Sequence, residues 1–273
     1  MEVSKEIQRE YNPAHPNYKR WQKAREISDE RAEFVKELIS TEINPEGLRI
    51  LDVGSGEGST SRLLSKKNFV VSLEIKSERI KKISRAESLQ PIIADGLKSP
   101  FKPDSFDLII LQDVVEHLSV SEELVKRLLH ILKESGIIYL STPNRLSLFN
   151  IIADPHWGLP FLALFKRDQV KKYYLKFFRF NDLQRDDIAE LLSLHKLYEM
   201  FNNNFKLKLY TKFSVEYLLN DGKGLVWSSF HLWLIKLVNL LGLKRLLLSI
   251  SNDKPRIINK FFTPTFYIIL KMK

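Results

Sequence analysis

Apolar residues along this chain alternate between two spacings. Short continuous runs at 48–53 (LRILDV), 69–75 (FVVSLEI), 91–95 (PIIAD), 105–114 (SFDLIILQDV) and 136–144 (GIIYLSTPN) read as strands. Runs of that length bounded by Gly, Pro, Asn or Asp fit strands buried on both faces. Helical spacing fills the gaps, at 59–66, 77–87 and 121–135. Ahead of the first strand, 18–39 places Trp21, Ile27, Phe34, Val35 and Leu38 on one inner helical face, and NPEG at 44–47 ends it. Strand–helix alternation with short links predicts an α/β fold with a doubly wound, Rossmann-like parallel sheet. After Asn144 the rhythm changes. Residues 145–180 are aromatic and basic, 182–201 reads as a helix, 205–215 as a strand, 224–250 as an apolar stretch and 264–273 as a last strand. The two late strands would complete a seven-stranded sheet. Helical insertions would then follow strand five and separate strands six and seven. We therefore expect one domain over 1–273, with 145–180 as a substrate lid. Residues 221–260 would form an apolar helical cap or a membrane-interface segment.

Composition narrows the chemistry. The chain has 273 residues, 44% of them hydrophobic, enough for a sizeable core. It has no cysteine, which excludes disulfides, cysteine–zinc sites and a cysteine nucleophile. The start, MEVSKEIQRE, is charged and has no apolar core, so it does not read as a secretory signal. Together these predict a cytoplasmic protein. A net charge of +10 suits an anionic partner: nucleic acid, a membrane surface or an acidic metabolite.

The turn after the first strand carries the most information. Gly54, Ser55, Gly56 and Gly58 lie between strand and helix, where a glycine turn lets backbone approach a ligand closely. The spacing is Gly-x-Gly-x-Gly, whereas a dinucleotide fingerprint would put its third glycine where Ser59 stands. Asp52 closes the strand just before the turn. A carboxylate there repels a pyrophosphate and attracts a cation, and S-adenosylmethionine carries an ammonium and a sulfonium but no phosphate. Glu74, beside Ile75, ends the second strand, where it can accept bonds from both ribose hydroxyls. Asp95 and Gly96 follow the third, where a carboxylate can accept from the adenine amino group.

On these residues a resemblance rests. ILDVGSGEG, LEI, ADG and FDLIILQDVVEHL resemble the motifs of class I S-adenosylmethionine-dependent methyltransferases. STPNR resembles the branch that includes quinone-biosynthesis O-methyltransferases and glycan and small-molecule methyltransferases. The motif match covers about 48–145. The resemblance implies that Asp52 and the glycine turn hold the methionine part, Glu74 the ribose, and Asp95 with Gly96 the adenine. Gln112 would lie along the cofactor.

Methyl transfer needs alignment, and a hydroxyl acceptor must also lose its proton. Asp113, Glu116 and His117 would share one face of a helical turn. Three roles are open to them. His117 can be a general base with Glu116 beside it, the three can bind a divalent cation that acidifies the acceptor, or they can only shape the pocket. The quinone O-methyltransferases have an acid followed by Glu-His at matching positions and use such a metal. Here the first acid, Asp113, is one methylene shorter.

The insertions bear on the acceptor. Asp154 and His156 in DPHWGLPFLALFKR can contact a sugar hydroxyl, or the segment can be a lid anchored by Trp157 and Phe161. Residues 225–250, with Trp227, Phe230 and Trp233, are interrupted by Lys236, Lys244 and Arg245. No uncharged run reaches the ~18 residues of a membrane span. Helices lying in a membrane interface and a cap packed on the domain both fit. The sequence thus predicts O-methylation of an amphipathic, glycan-type or lipid-linked acceptor, in the cytoplasm or at the inner membrane face. The competing readings are a soluble small-molecule methyltransferase, an RNA methyltransferase and a non-catalytic cofactor-binding protein. No Asn/Asp-Pro-Pro-aromatic stretch follows strand four, which weighs against nucleic acid.

Overall fold

The computed structural model describes residues 11–273 except 97, 99, 119–121, 184, 186–187, 221–223 and 226–228, and gives 229–231 and 234 as backbone only. Trp227 lies outside the described residues, as does the side chain of Phe230. Seven strands form one sheet: β1 (Arg49–Val53), β2 (Phe69–Glu74), β3 (Leu89–Ile93), β4 (Phe106–Gln112), β5 (Leu132–Pro143), β6 (Phe205–Leu209) and β7 (Thr265–Met272). Their spatial order is β3-β2-β1-β4-β5-β7-β6. The chain steps outward from β1 to β3, then returns to β4 beside β1. This reversal opens a crevice at the carboxyl ends of β1 and β4, where open α/β sheets bind ligands.

The buried strands alternate between two cores. Leu51, Ile109, Leu111 and Leu140 face one side, with α5 (Glu122–Ile131) and α7 (Leu194–Phe201) packed over them. Ile50, Leu108, Ile110 and Tyr139 face the other, under α2 (Ser28–Ser40) and α3 (Ser59–Leu64). A helix layer on each face is what near-continuous apolar strands require.

Several expectations change. The helix expected over 18–39 is two, α1 (Tyr18–Glu26) and α2, broken at Ile27. The second helix is shorter than 77–87: α4 spans Ser77–Ile80. The helix expected over 182–201 begins only at Leu194. Glu190 N donates to Glu116 O at 2.8 Å, and Leu192 O accepts from Arg145 N at 3.0 Å. Those tertiary bonds hold the preceding backbone extended, and Ser193 then caps α7 by accepting from Lys196 N. The strand expected over 205–215 stops at Leu209, because α8 (Thr211–Asn220) takes over. The sheet is also not wholly parallel, since β7 runs antiparallel to both β5 and β6. Between β6 and β7 the chain builds α8, α9 (Ser229–Leu240), α10 (Lys244–Ile250) and α11 (Ile257–Phe261). It re-enters the sheet from the carboxyl edge, so the last strand runs back. The helical insertions after strand five and between strands six and seven are in the places expected. The first holds α6 (Leu148–Ile152) and a π turn over Val170–Leu175 around Trp157, Leu162 and Ile188.

Candidate active site

β1 delivers the chain into a left-handed turn. Gly54 has φ 67° and Gly56 φ 58°, values that glycine adopts without strain. A Cβ on Gly54 would stand 2.6 Å from Val114 Cγ2, whereas one on Gly56 would meet nothing within 4 Å. The turn thus packs on one side and leaves backbone bare on the other. The bare side faces a crevice of about 300 Å³ walled by Asp52, Gly54, Ser55, Gly56, Gly58 and Gln112. Trp21 and Arg25 of α1 and Ser28 and Arg31 of α2 close it from the N-terminal side.

Asp52 is buried, and its Oδ2 accepts from Ser61 Oγ at 2.6 Å. Burial pushes the carboxyl up to about 7, against the pull of that hydrogen bond and with Glu74 adding repulsion. No cationic side chain among the described residues bonds to it. Gln112 lies across the crevice, its Oε1 accepting from Thr60 Oγ1 at 2.9 Å. Glu74 is buried beside the crevice, not on its wall. Its two oxygens accept from Gly56 N at 3.0 Å and Lys76 N at 2.9 Å, which braces the glycine turn. A carboxylate has about four acceptor positions, so these two bonds leave about two unused. Ile75 is 66% exposed just beyond it. Asp95 stands at the third strand end with Lys98 Nζ 3.8 Å away. Gly96 packs so closely that a Cβ would meet Val53 Cγ1 at 2.5 Å.

The acids after β4 split into two groups. Asp113, at φ 54°, turns toward α2, where Arg31 donates to its Oδ2 and Ser141 Oγ to its Oδ1 at 2.9 Å. Burial opposes its charge, but Arg31 and the Ser141 hydroxyl outweigh burial and hold the carboxyl below its ordinary range. Glu116 points the other way and is buried, with Thr142 Oγ1 donating to its Oε2 at 2.9 Å. Its Oε1 has no hydrogen-bond partner among the described residues. Burial, reinforced by the charge of Asp113, pushes this carboxyl up to about 8. The ring of His117 lies 5.3 Å from that of His156, edge to face.

This corrects the ligand set considered for a divalent cation. Asp113 is engaged by Arg31 and Ser141, so it does not join Glu116 and His117. A different trio, Glu116, His117 and His156, brings one ligand atom each within 4.8 Å of one another. A carboxylate and two imidazoles suit a borderline divalent ion. The unpartnered buried Oε1 fits that role.

In the insertion, Asp154 is turned to its own backbone, accepting from His156 N at 2.8 Å and Trp157 N at 2.9 Å. Burial raises its carboxyl to about 6. This capping role replaces the contact with a sugar considered for it. Trp157 is buried, but Phe161 is 61% exposed and does not anchor the lid. The anchor comes from the N-terminus instead: Arg20 donates to Asp154 O and Pro155 O, and Asn17 to His156 O. Sequence reasoning missed this clamp, Arg31 and the meeting of His156 with His117. Nothing local singled these residues out, since α2 carries four acids beside Arg31 and Lys36.

The comparisons with known proteins point one way. A family model described as a methyltransferase domain matches residues 18–206. The ubiquinone biosynthesis O-methyltransferase of Xanthomonas euvesicatoria pv. vesicatoria is 27% identical over 116 residues, 40% of this chain and 48% of that protein. The mitochondrial ubiquinone biosynthesis O-methyltransferase of Rattus norvegicus is 24% identical over 143 residues, 46% of this chain and 41% of that one. The chain spans about half the length of the curated relatives it matches. A solved S-adenosylmethionine-dependent methyltransferase from Mesorhizobium loti aligns with a TM-score of 0.54 at 14% identity, covering 87% of this chain and 96% of that chain. At that identity the likeness is one of fold.

Proposed function

The chain belongs to the methyltransferase-domain family; from that premise we propose that it is an S-adenosylmethionine-dependent methyltransferase and that it methylates a hydroxyl oxygen of an amphipathic, glycan-type or lipid-linked acceptor. One observation carries the cofactor pose. Asp52 is a buried carboxylate at a bare glycine turn, with no cationic partner among the described residues. Such a group is disfavoured as an ion unless a cationic ligand arrives.

The residues divide the work. Asp52 and the Gly54–Gly58 backbone hold the cationic amino-acid end, and Arg25, Arg31 and Arg79 on the crevice wall offer charge to its carboxylate. Glu74 takes the ribose hydroxyls on its open acceptor positions, and Asp95 with Gly96 flanks the adenine. Ile75 covers its edge, and Gln112, fixed by Thr60, lies along the bound molecule. When bound, S-adenosylmethionine supplies an electrophilic methyl group on its sulfonium. The chain aligns the acceptor oxygen and excludes water. His117, four residues after Asp113, is the group that would receive the acceptor's proton on a ring nitrogen. His156 packs against that ring. Burial holds the Glu116 carboxyl above its ordinary range, so the imidazole is the group beside it suited to take that proton. The Glu116–His117–His156 trio also fits a divalent cation, which would acidify the acceptor hydroxyl.

No helix among the described residues is long and apolar enough to cross a membrane. We place the protein in the cytoplasm, with the exposed face of α9 and α10 meeting an inner membrane surface. Trp233, Leu240, Leu241 and Leu246 are exposed there, with Lys236, Lys244 and Arg245 among them.

The test is calorimetric titration with S-adenosylmethionine of the wild type and Glu74→Ala, with NADH as control. Saturable binding that Glu74→Ala abolishes supports the pose. Equal binding of NADH, or none of either, overturns it.

A further inference from the structure

Beneath α9 and α10 lies an apolar cavity of about 510 Å³, within the range of ligand pockets. Val215 and Leu219 of α8, Ile235 and Val238 of α9, Leu247 of α10 and Ile258 of α11 line it. Six hydroxyl groups stand on its wall, and four of them are already used. Thr211 Oγ1 donates to Asn259 Oδ1 at 2.6 Å, and Thr263 Oγ1 donates to the same atom at 2.9 Å. Ser214 Oγ donates to Thr211 O and Ser251 Oγ to Leu248 O, each at 2.9 Å. The hydroxyl protons of these four side chains are therefore committed within the protein. A cavity without polar partners holds water poorly. What fits it is hydrocarbon.

Its position gives the hydrocarbon a direction. The cavity wall includes Thr263, Thr265 and Tyr267. Thr265 opens β7 opposite Pro143, at the carboxyl edge that carries the crevice. Asn144, after β5, donates to Thr263 O at 2.8 Å and so ties the cavity wall to the site edge. The ring of Tyr267 stands 4.8 Å from that of Phe34, one helical turn along α2 from Arg31. Tyr267 thus separates the apolar cavity from the Arg31–Asp113 pair at the crevice end. Outside, exposed Trp233, Leu240, Leu241 and Leu246 lie among Lys236, Lys244 and Arg245, a surface complementary to anionic amphiphiles.

We propose that this cavity binds the single hydrocarbon tail of the acceptor and so delivers its polar head past Tyr267 to the crevice. The direction of the head rests on the methyltransferase reading, whereas tail binding stands on the cavity alone.

The test uses the whole chain and 11-(dansylamino)undecanoic acid as a fluorescent probe. One probe per chain should bind saturably. Val215→Trp and Val238→Trp, which fill the cavity from opposite walls, should each weaken binding at least about tenfold for the methylenes excluded. Their S-adenosylmethionine affinity and Tm should stay near wild type. Leu240→Ser, on the outer face, should bind the probe as wild type does. On wild type alone, straight-chain carboxylates of rising length should displace the probe about fourfold better per added methylene until the cavity is full. That series decides the matter even if both tryptophan variants misfold. Absent probe binding, unchanged binding in folded tryptophan variants or a flat chain-length series overturns the proposal. So does a dimer that buries the cap and excludes the probe. Probe binding without S-adenosylmethionine binding keeps the cavity and removes the methyltransferase reading instead.

Discussion

Asparagine in place of Asp52 separates the two things this carboxyl does. In the folded chain its pKa is raised from the ordinary 3.8 to about 7, chiefly by burial. An acid raised on folding binds more protons folded than unfolded between those values. The wild type therefore loses stability as pH climbs from 3.8 toward 7, and the loss levels off above, at about 4 kcal/mol as an order of magnitude. Asp52→Asn never ionises and escapes that loss. Its amide oxygen can keep the Ser61 bond, but its NH2 group is buried without an evident acceptor, at a cost of about 1–3 kcal/mol. The balance changes sign with pH. Near pH 4 the unliganded variant should be the less stable, and above pH 7 the more stable by about 1–3 kcal/mol, which is about 2–10 °C in Tm. Cofactor binding should move the other way. Wild-type affinity for S-adenosylmethionine should rise about tenfold between pH 6 and 8 as Asp52 ionises, and Asp52→Asn should bind weakly with no such rise. Scanning fluorimetry of the unliganded proteins across pH, paired with calorimetry, reads both. A Tm difference that does not change with pH, or a variant that binds as tightly as wild type with the same pH dependence, would refute the reasoning.

The other expectations can be checked on the same preparations. His117→Ala should lower kcat by about 10²–10⁴ once an acceptor is in hand, with S-adenosylmethionine affinity intact because His117 is not on the crevice wall; an unchanged kcat removes His117 as the base. Glu116→Gln can keep the Thr142 hydrogen bond and should gain stability over wild type as pH rises from 4.5 to about 8, the window over which the buried acid loses its proton in the unfolded chain first; denaturant titration at several pH values measures it. Leu197→Ala, in the core between α7 and the sheet, should cost about 2–5 kcal/mol, and a smaller loss would mean that α7 packs loosely. In liposome flotation the wild type should rise with anionic vesicles and stay down with neutral ones, and Trp233→Ser with Leu241→Ser should stay down with both.

The first half of the chain was legible because local and tertiary demands coincide there. Strands β1, β2 and β4 and the inner part of β5 are buried on both faces, so continuous apolar runs mark them, and only the edge strand β3 ends exposed. Their acids and glycines fall at strand ends, where topology alone collects them into one crevice. Asp52, Gly54 and Gln112 needed only the rule that ligands sit at the carboxyl edge. The second half departs from its local signals wherever a distant bond decides the conformation. Residues 188–193 have helical composition, yet Glu116 O and Arg145 N hold part of that segment extended. β6 ends at Leu209 although β-branched and aromatic residues continue, because Thr211 starts a helix whose inner face meets the cap.

The same reasoning explains why Asp113 was misassigned within its motif. Spacing of three and four residues puts Asp113, Glu116 and His117 on one helical face only if the backbone there is helical. Asp113 instead has φ 54°, which swings its carboxyl out of that face and toward Arg31. No feature of the stretch LQDVVEH announces a left-handed aspartate. What holds it is a guanidinium 82 residues earlier and a hydroxyl 28 residues later. His156 then occupies the place beside His117 that the spacing had assigned to Asp113. The N-terminal helices reinforce that exchange, since Asn17 binds the backbone of His156 while Arg31 binds Asp113. Loss of Arg31 should therefore be felt at Asp113. Arg31→Met leaves a partly buried carboxylate with one hydroxyl partner and should destabilise the fold by about 1–3 kcal/mol, less than for a fully buried pair because both side chains keep some exposure. Asp113→Asn in the same background should recover much of the loss, because it removes the stranded charge. If the double variant is no more stable than Arg31→Met alone, the ion pair is not what turns Asp113 away from the histidines.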